Sequence, residues 1–591
     1  LAGVVEGDEV TLLRSGNFAT ATAGNNIPVT STSTLSGASS GNYSLIQPSG
    51  LSANIVAANV WSGGAGGAGT NLSIGSNYSP SANTGVPYNA IFNGLDPATA
   101  DLTLSSAIGG AVGTSGMVFG FAGNQSSPVI ITGSTGASAR IASIGVAPGA
   151  AAVTFQGALP FILGGPTADT SHSFINDSAN PLVFQNTGNW IPGGSGTQLR
   201  SMFFGGTGDI TVASSIVPST PTRMSLAKSG PGILTLSGAN TFSGGTTVND
   251  GKVIATTSTA LGAGTVLNHG TLDLTAGAVT YTGLSSSLSG TGEVNVTLGT
   301  GGASTLLNGN YSNFTGTWNL GIGAAAGAGK VQMNGLDHPA ATIRVLENAT
   351  LYTTSGTHQA ALVLYGGNTG ESLGQLRIEG NATWAGNITL AGPISGNGDG
   401  HIGANTGTGT ITGSIGETGG AHALVKDGDG TTVLSGINSY TGPTNVNDGI
   451  LLVNSPGSLA AASSVTVASG ATLGGSGVIH GSVTVASGGT LGGSLTLNSP
   501  VTVQTGGRLD ATQVNQASIN ATSTLTLGGF LDLSIDRTRT PAASNLTISG
   551  TLNRGGTLRI INSGPALQAG DSFTVSISGG QVTGSFASTL L

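Results

Sequence analysis

The stretch Val465–Asp510 carries the sequence VTVASGATLGG from Val465, VTVASGGTLGG from Val483 and VTVQTGGRLDA from Val501, so it returns to itself every 18 residues. Each copy opens on Val-Thr-Val, turns through small residues and closes on a leucine. Alternating apolar and polar residues are the mark of a strand, because successive side chains point to opposite faces. A period of 18 is too short for a βαβ unit or a propeller blade. It suits one turn of a β-solenoid, in which each repeat lies on the last and buries a shared core. Superposing the copies predicts inward ladders Val465/Val483/Val501, Val467/Val485/Val503 and Leu473/Leu491/Leu509. Thr466, Thr484 and Thr502 form the corresponding outward ladder. The expected protein is a rod.

Composition points the same way. The chain has 103 glycines in 591 residues, about twice the usual share of roughly 7%. Charged residues make up 7%, against roughly 25% in an ordinary soluble domain. With 38% hydrophobic residues, the chain is not of the charged, disordered kind. No long window shows helical spacing with charge opposite. The net charge of −9 is spread thinly, and 15 Lys and Arg form no basic patch for a nucleic-acid backbone. No apolar run approaches the ~20 residues that span a bilayer. Leu1 does not open a signal peptide, so the chain reads as a processed or partial piece of something longer. Cysteine is absent, which removes disulfide and thiolate chemistry.

A longer repeat is also present. Residues 226–254 read LAKSGPGILTLSGANTFSGGTTVNDGKVI, and residues 424–452 read LVKDGDGTTVLSGINSYTGPTNVNDGILL. Leu236 matches Leu434, Asn240 matches Asn438, Phe242 matches Tyr440, and Asn249-Asp250-Gly251 matches Asn447-Asp448-Gly449. Asn-Asp-Gly is a turn signal that tolerates positive φ, and it separates two short strands in each block. These blocks resemble the autotransporter-associated β-strand repeat, also called the passenger-associated transport repeat. The resemblance implies a right-handed parallel β-helix in a large secreted or surface-displayed bacterial protein, with the repeat tied to export and folding rather than to catalysis.

The N-terminus is similar to a different family. Leu35-Ser-Gly-Ala-Ser-Ser-Gly-Asn-Tyr-Ser-Leu45 followed by Gln47–Ile55 resembles the YDG module of bacterial surface proteins. That resemblance implies a small β-sandwich-like unit whose first strands lie upstream of Leu1. The expected organisation is therefore all-β: a partial YDG-like module over 1–58, an N-terminal solenoid over 59–225, a solenoid with both repeats and the 18-residue rungs over 226–535, and a β-rich C-terminal cap over 536–591. Gly63–Gly69 is the expected linker after the first module.

Sites for chemistry are sparse. Asp427 and Asp429 in Lys-Asp-Gly-Asp-Gly, and Asp399 just before Gly400-His401, are candidate calcium ligands through oxygen. No glutamate closes an EF-hand-like spacing, so a Gly-rich turn is the preferred reading. His269 and His480 each adjoin a glycine at an expected corner and read as solvated turn residues. Gly37-Ala-Ser-Ser-Gly41 fits G-x-S-x-G in letters, but no helix follows to make a nucleophile elbow. Asn71, Asn77, Asn348 and Asn387 begin sequons of the kind that Asn- and Thr-rich chains produce by accident. Trp61, Trp190, Trp318 and Trp384 are too scattered for a sugar-binding stripe and read as core or corner packing.

The expectation is an extracellular or outer-surface structural protein of a bacterium. It is not an enzyme and has no cofactor. It self-associates head to tail into a fibre or surface layer. The alternative is a passenger-type adhesin with surface glycans as partners, and the third reading is a polysaccharide-active β-helix enzyme.

Overall fold

The computed structural model describes residues 10–13, 15–22, 24–37, 39–55, 59–61, 72, 78–79, 90–92 and 101–104. From residue 116 it describes the whole chain except 165–168, 195–196, 219–222, 278, 282–283, 285–286, 300–303, 325–328, 334–339, 368–372, 393–397, 513–518, 545 and 591. The expected linker Gly63–Gly69, the sequons at Asn71 and Asn77, and the upstream start of the N-terminal module lie outside the described residues. The described residues are nearly all β, and the chain divides into two compact units, Leu1–Gln198 and Leu199–Leu591.

In the first unit the N-terminal segment is antiparallel. Thr11–Leu13 pairs with Thr34–Ser36, and Gly24–Ser31 pairs with both Gly16–Phe18 and Ser52–Ile55. From Ala90 onward the strands become parallel. Ala90–Phe92, Met117–Phe121, Ala139–Val146 and Thr170–Asn176 are neighbours in one sheet. Asp101–Leu104, Val129–Gly133, Val153–Gly157 and Leu182–Phe184 are neighbours in another. The chain therefore visits the two sheets in turn. Phe155, Phe161, Phe174, Phe184 and Trp190 are fully buried. They meet in stacked and edge-on contacts such as Phe155–Phe184 at 5.3 Å and Phe184–Trp190 at 5.1 Å. Such pairs add to the burial of their large apolar area.

The second unit continues this mode with more sheets. One parallel sheet runs Ile233–Leu236, Lys252–Ala255, Thr271–Leu274, Glu293–Val296, Thr317–Leu320 and onward to Ile415–Thr418. A second begins at Ser304–Leu307 and passes through Leu424–Asp427, Thr444–Val446, Val465–Val467, Val483–Val485 and Val501–Val503. A third takes Thr431–Leu434, Ile450–Val453, Thr472–Gly475, Thr490–Leu491 and Arg508–Ala511. Beyond Ile535 the last two sheets simply gain further parallel strands, Leu546–Arg554 and Thr557–Asn562, then Ile577–Gly584 and Ser588–Leu590. Each circuit of the sheets forms one rung, and long parallel sheets visited in rotation are consistent with a β-helix.

The 18-residue stretch shows the local logic. Val465 pairs with Val483 and Val483 with Val501, and the same holds for Val467, Val485 and Val503. All six valines, with Leu473, Leu491 and Leu509, are at most 1% exposed. Burying each side chain is worth about 1.5–3 kcal/mol. The threonines between them face outward. The strand must then reverse within a few residues, and Gly470, Gly488 and Gly506 do so with φ of +85°, +81° and +82°, a region costly for any residue with a Cβ. The turns stack as the strands do: the Gly470 amide donates to the Gly488 carbonyl at 3.0 Å, and the Gly488 amide to Gly506 at 2.9 Å.

Candidate functional site

Each of the two 29-residue blocks folds onto itself. In the first, Leu226 lies opposite Thr246 in one sheet, and Leu234 opposite Val253 in another. In the second, Leu424 lies opposite Thr444, and Thr432 opposite Leu451. A block therefore supplies four strands that stack as two consecutive rungs, pairing with each other on one side and with the neighbouring rungs on the other.

A lysine and an asparagine at equivalent places in the two blocks hold backbone groups at the corners. Lys426 is fully buried, and its ammonium donates to the carbonyls of Asp427 at 3.1 Å, Gly428 at 2.7 Å and Asp448 at 3.0 Å. Lys228, 2% exposed, donates to Ser229 at 3.2 Å and Gly230 at 2.5 Å. Burial lowers each lysine to about 8, partly opposed by nearby aspartates. At the next corner the Asn240 Oδ1 accepts from the Ile216 amide at 2.9 Å while its Nδ2 donates to Ala260. Asn438 repeats this with the Ile415 amide at 2.9 Å and the carbonyls of Gly436 and Ser458. Sequence reasoning passed over the lysines. Their signal was the lysine shared by both blocks at the same offset, between an apolar strand and a Gly-rich turn. The aromatic position is buried in both. Phe242 packs without a polar tip, whereas the Tyr440 hydroxyl bonds Thr444 Oγ1 at 2.7 Å and burial raises its pKa well above the ordinary range.

The turn residues lie where the rungs reverse. Asn249, Asp250, Asn447 and Asp448 are exposed, and Gly251 and Gly449 take φ of +71° and +58°. The Asn249 amide donates to the Lys228 carbonyl at 2.9 Å and the Asn447 amide to Lys426 at 3.0 Å.

The calcium candidates do not converge as a ligand set. Asp427 Oδ2 contacts His401 Nδ1 at 2.6 Å, and Asp427 Oδ1 accepts from Asn447 Nδ2 at 3.1 Å. Asp399 Oδ1 accepts from the Ala423 amide at 3.4 Å, and Asp429 is exposed on its turn. Among the described residues no three His, Cys, Asp or Glu side chains form a metal-holding group. Sequence placed His401 beside Asp399; the register His401 opposite Val425 brings it to Asp427 instead.

An open groove of about 660 Å³ lies along the turns that follow the first block's sheet change. Asp250, His269 and Thr291 precede the turn glycines and Lys252, Thr271 and Glu293 follow them, and all six line the groove together with Pro231, Ile233 and Thr317. Register aligns Lys252, Thr271, Glu293 and Thr317 in one row. Lys252 Nζ pairs with Asp273 at 3.0 Å, His269 Nδ1 meets Thr291 Oγ1 at 3.1 Å, and Asn319 Nδ2 donates to Glu293. The sequence marked His269 only as a corner residue.

Trp190, Trp318 and Trp384 are buried in the core. The backbone of Trp61 lies in strand Asn59–Trp61. Asn348 takes φ of +62°, and Asn387 Oδ1 accepts from Ser414 Oγ at 2.9 Å. His480 Nδ1 meets Asn498 Nδ2 at 2.9 Å. The Gly37–Gly41 run leads into a short 3-10 turn at Ser40–Asn42, with no α-helix after it.

Residues 226–255 and 424–453 match the model of the passenger-associated-transport-repeat, and residues 1–50 match that of the YDG domain. Over 56 residues the chain is 52% identical to "Adhesin BmaC autotransporter" of Brucella suis biovar 1 (strain 1330). That stretch is 9% of this chain and 2% of the relative's length. No solved structure matches. The chain carries two passenger-associated transport repeats and a match to the YDG domain, and its location is extracellular or at the cell surface.

Proposed function

We propose that this chain is a structural segment of a secreted or surface-displayed protein, a right-handed parallel β-solenoid preceded by a small β-sandwich-like module. The observation that carries this reading is the unbroken parallel register from Leu424–Asp427 to Val501–Val503, with an apolar ladder on the inward side. A fold whose core grows lengthwise sets a distance and presents a repeated surface, here low in charge and rich in Thr, Ser and Asn. Head-to-tail assembly into a fibre or surface layer belongs to the same proposal. Its support is the 7% charge content, which offers little repulsion between neighbouring copies. Electron microscopy and sedimentation of the full chain test it. Fibres with a constant repeat are expected. Single particles at every concentration remove the assembly and leave the structural role.

The second reading is an adhesin that binds surface glycans. It is favoured by the polar groove between Asp250 and Thr317 and by the adhesin name of the matched relative. The polysaccharide-active enzyme has less support, because the Asp427 carboxylate is engaged by His401 and Asn447. Incubation with acidic and neutral polysaccharides and assay for new reducing ends tests that alternative.

A further inference from the structure

We propose that the groove beside the first repeat block binds a linear, uncharged glycan lying along the direction in which the rungs stack. This rests on the adhesin reading above and assigns it a place and a ligand class.

The groove is built into the backbone. Its floor is a column of turn glycines, one per rung, that includes Gly251, Gly270 and Gly292. A Cβ on Gly270 would stand 2.6 Å from the Gly251 carbonyl oxygen, and one on Gly292 would stand 2.3 Å from that of Gly270. A side chain on either glycine would run into the rung before it, so the glycines let the turns stack closely while the two borders carry side chains. Its volume of about 660 Å³ falls within the ~300–1,000 Å³ of small-ligand sites.

The repeat of the borders selects the shape of the ligand. Aligned residues such as Lys252, Thr271, Glu293 and Thr317 recur at the strand spacing of about 4.8 Å. An extended peptide advances only ~3.4 Å per residue and drifts out of step. A β-linked pyranose chain advances by a step comparable to the rung, so each sugar meets an equivalent position.

The chemistry of the borders selects the charge. Asp250 and Glu293 accept hydrogen bonds, Lys252 donates, and His269 and Thr271 can do either. Contacts with Asp273, Thr291 and Asn319 orient Lys252, His269 and Glu293 beforehand. Donors and acceptors of both signs are present in the trough, which suits hydroxyls that donate and accept at once. A polyanion would meet Asp250 and Glu293, and a polycation would meet Lys252. The lining has no Phe, Tyr or Trp among the described residues, so affinity comes from length rather than from stacking on one sugar.

The test is calorimetry and saturation-transfer NMR of the full chain with neutral β-1,4-linked oligosaccharides of increasing length, alongside an acidic series. Affinity should rise several-fold per added sugar and level off near about five, the rungs bordering the groove. Thr271→Trp, which fills the trough, should weaken binding at least about tenfold. His269→Ala should weaken it several-fold while melting like the parent chain. Thr484→Trp, on a different sheet, should bind normally. If glycans bind but both groove variants bind like the parent chain, this site is wrong and the adhesin reading stands. Binding of the acidic series alone overturns the ligand class assigned here. No binding by either series at millimolar concentration overturns both the site and the adhesin reading.

Discussion

Lys426 and Asp448 are 22 positions apart, yet the Lys426 ammonium donates to the Asp448 carbonyl at 3.0 Å across adjacent rungs. The same ammonium holds the carbonyls of Asp427 and Gly428 in its own turn. One cation thus binds two successive reversals of the backbone. The first block places Lys228 at the matching position, where its ammonium holds the carbonyls of Ser229 and Gly230 in its own turn. The cost is desolvation of a charge, which lowers both lysines to about 8.

That cost has a pH signature. Between pH ~8 and the unfolded value near ~10.4, the unfolded chain holds a proton on Lys426 that the folded chain has released, so stability gains with rising pH in this window. Below pH ~8 the full penalty is present. Lys426→Met lacks the titration. The stability of the parent chain relative to Lys426→Met should therefore improve from pH 8 to 10.5, by up to an order of 3 kcal/mol. Chemical denaturation of both proteins across that range checks this, and a constant or falling difference contradicts it.

The inward and outward faces of one strand should respond differently to charge. Val485 is fully buried between Val467 and Val503, while Thr484 lies between Thr466 and Thr502. Val485→Asp should cost several kcal/mol, because its carboxylate has no partner in the core. Thr484→Asp should stay within about 1 kcal/mol. Equal shifts in thermal unfolding would reverse the assignment of faces.

The corner asparagines should matter more than their polarity suggests. Asn438→Ala removes the acceptor of the buried Ile415 amide and two donated bonds. An unsatisfied buried amide costs about 1–3 kcal/mol. Asn438→Ala should fall in or above that range, whereas Asn387→Ala, at an exposed site, should cost less than about 1 kcal/mol. Comparable unfolding midpoints for the two variants would count against the corner role.

The Lys-Asp-Gly-Asp-Gly turn should not depend on calcium. Asp427 is already engaged by His401 and Asn447. Addition of calcium or a chelator is expected to leave the melting temperature unchanged, while Asp427→Ala lowers it in either condition. A rise of several degrees with calcium that disappears in Asp427→Ala would restore the metal reading.

Period and composition were enough to define the all-β character and the repeat, because side-chain alternation and turn chemistry act between near neighbours. Val465-Thr466-Val467 states which residues face the same way. Asn-Asp-Gly states where the chain reverses, and the small residues after each Val-Thr-Val state that a tight turn follows. The two block motifs are similarly local, which is why their family could be named from letters alone. Contacts between rungs are a different matter. Whether Lys426 meets Asp448, or His401 meets Asp427 rather than its neighbour Asp399, depends on register between strands some twenty or more residues apart. A shift of one residue would turn each side chain to the opposite face. The groove is likewise invisible in sequence, since Asp250, His269 and Glu293 share no motif. They become one surface only because parallel strands stack their turns in a column, and because the glycines between them let successive turns approach closely.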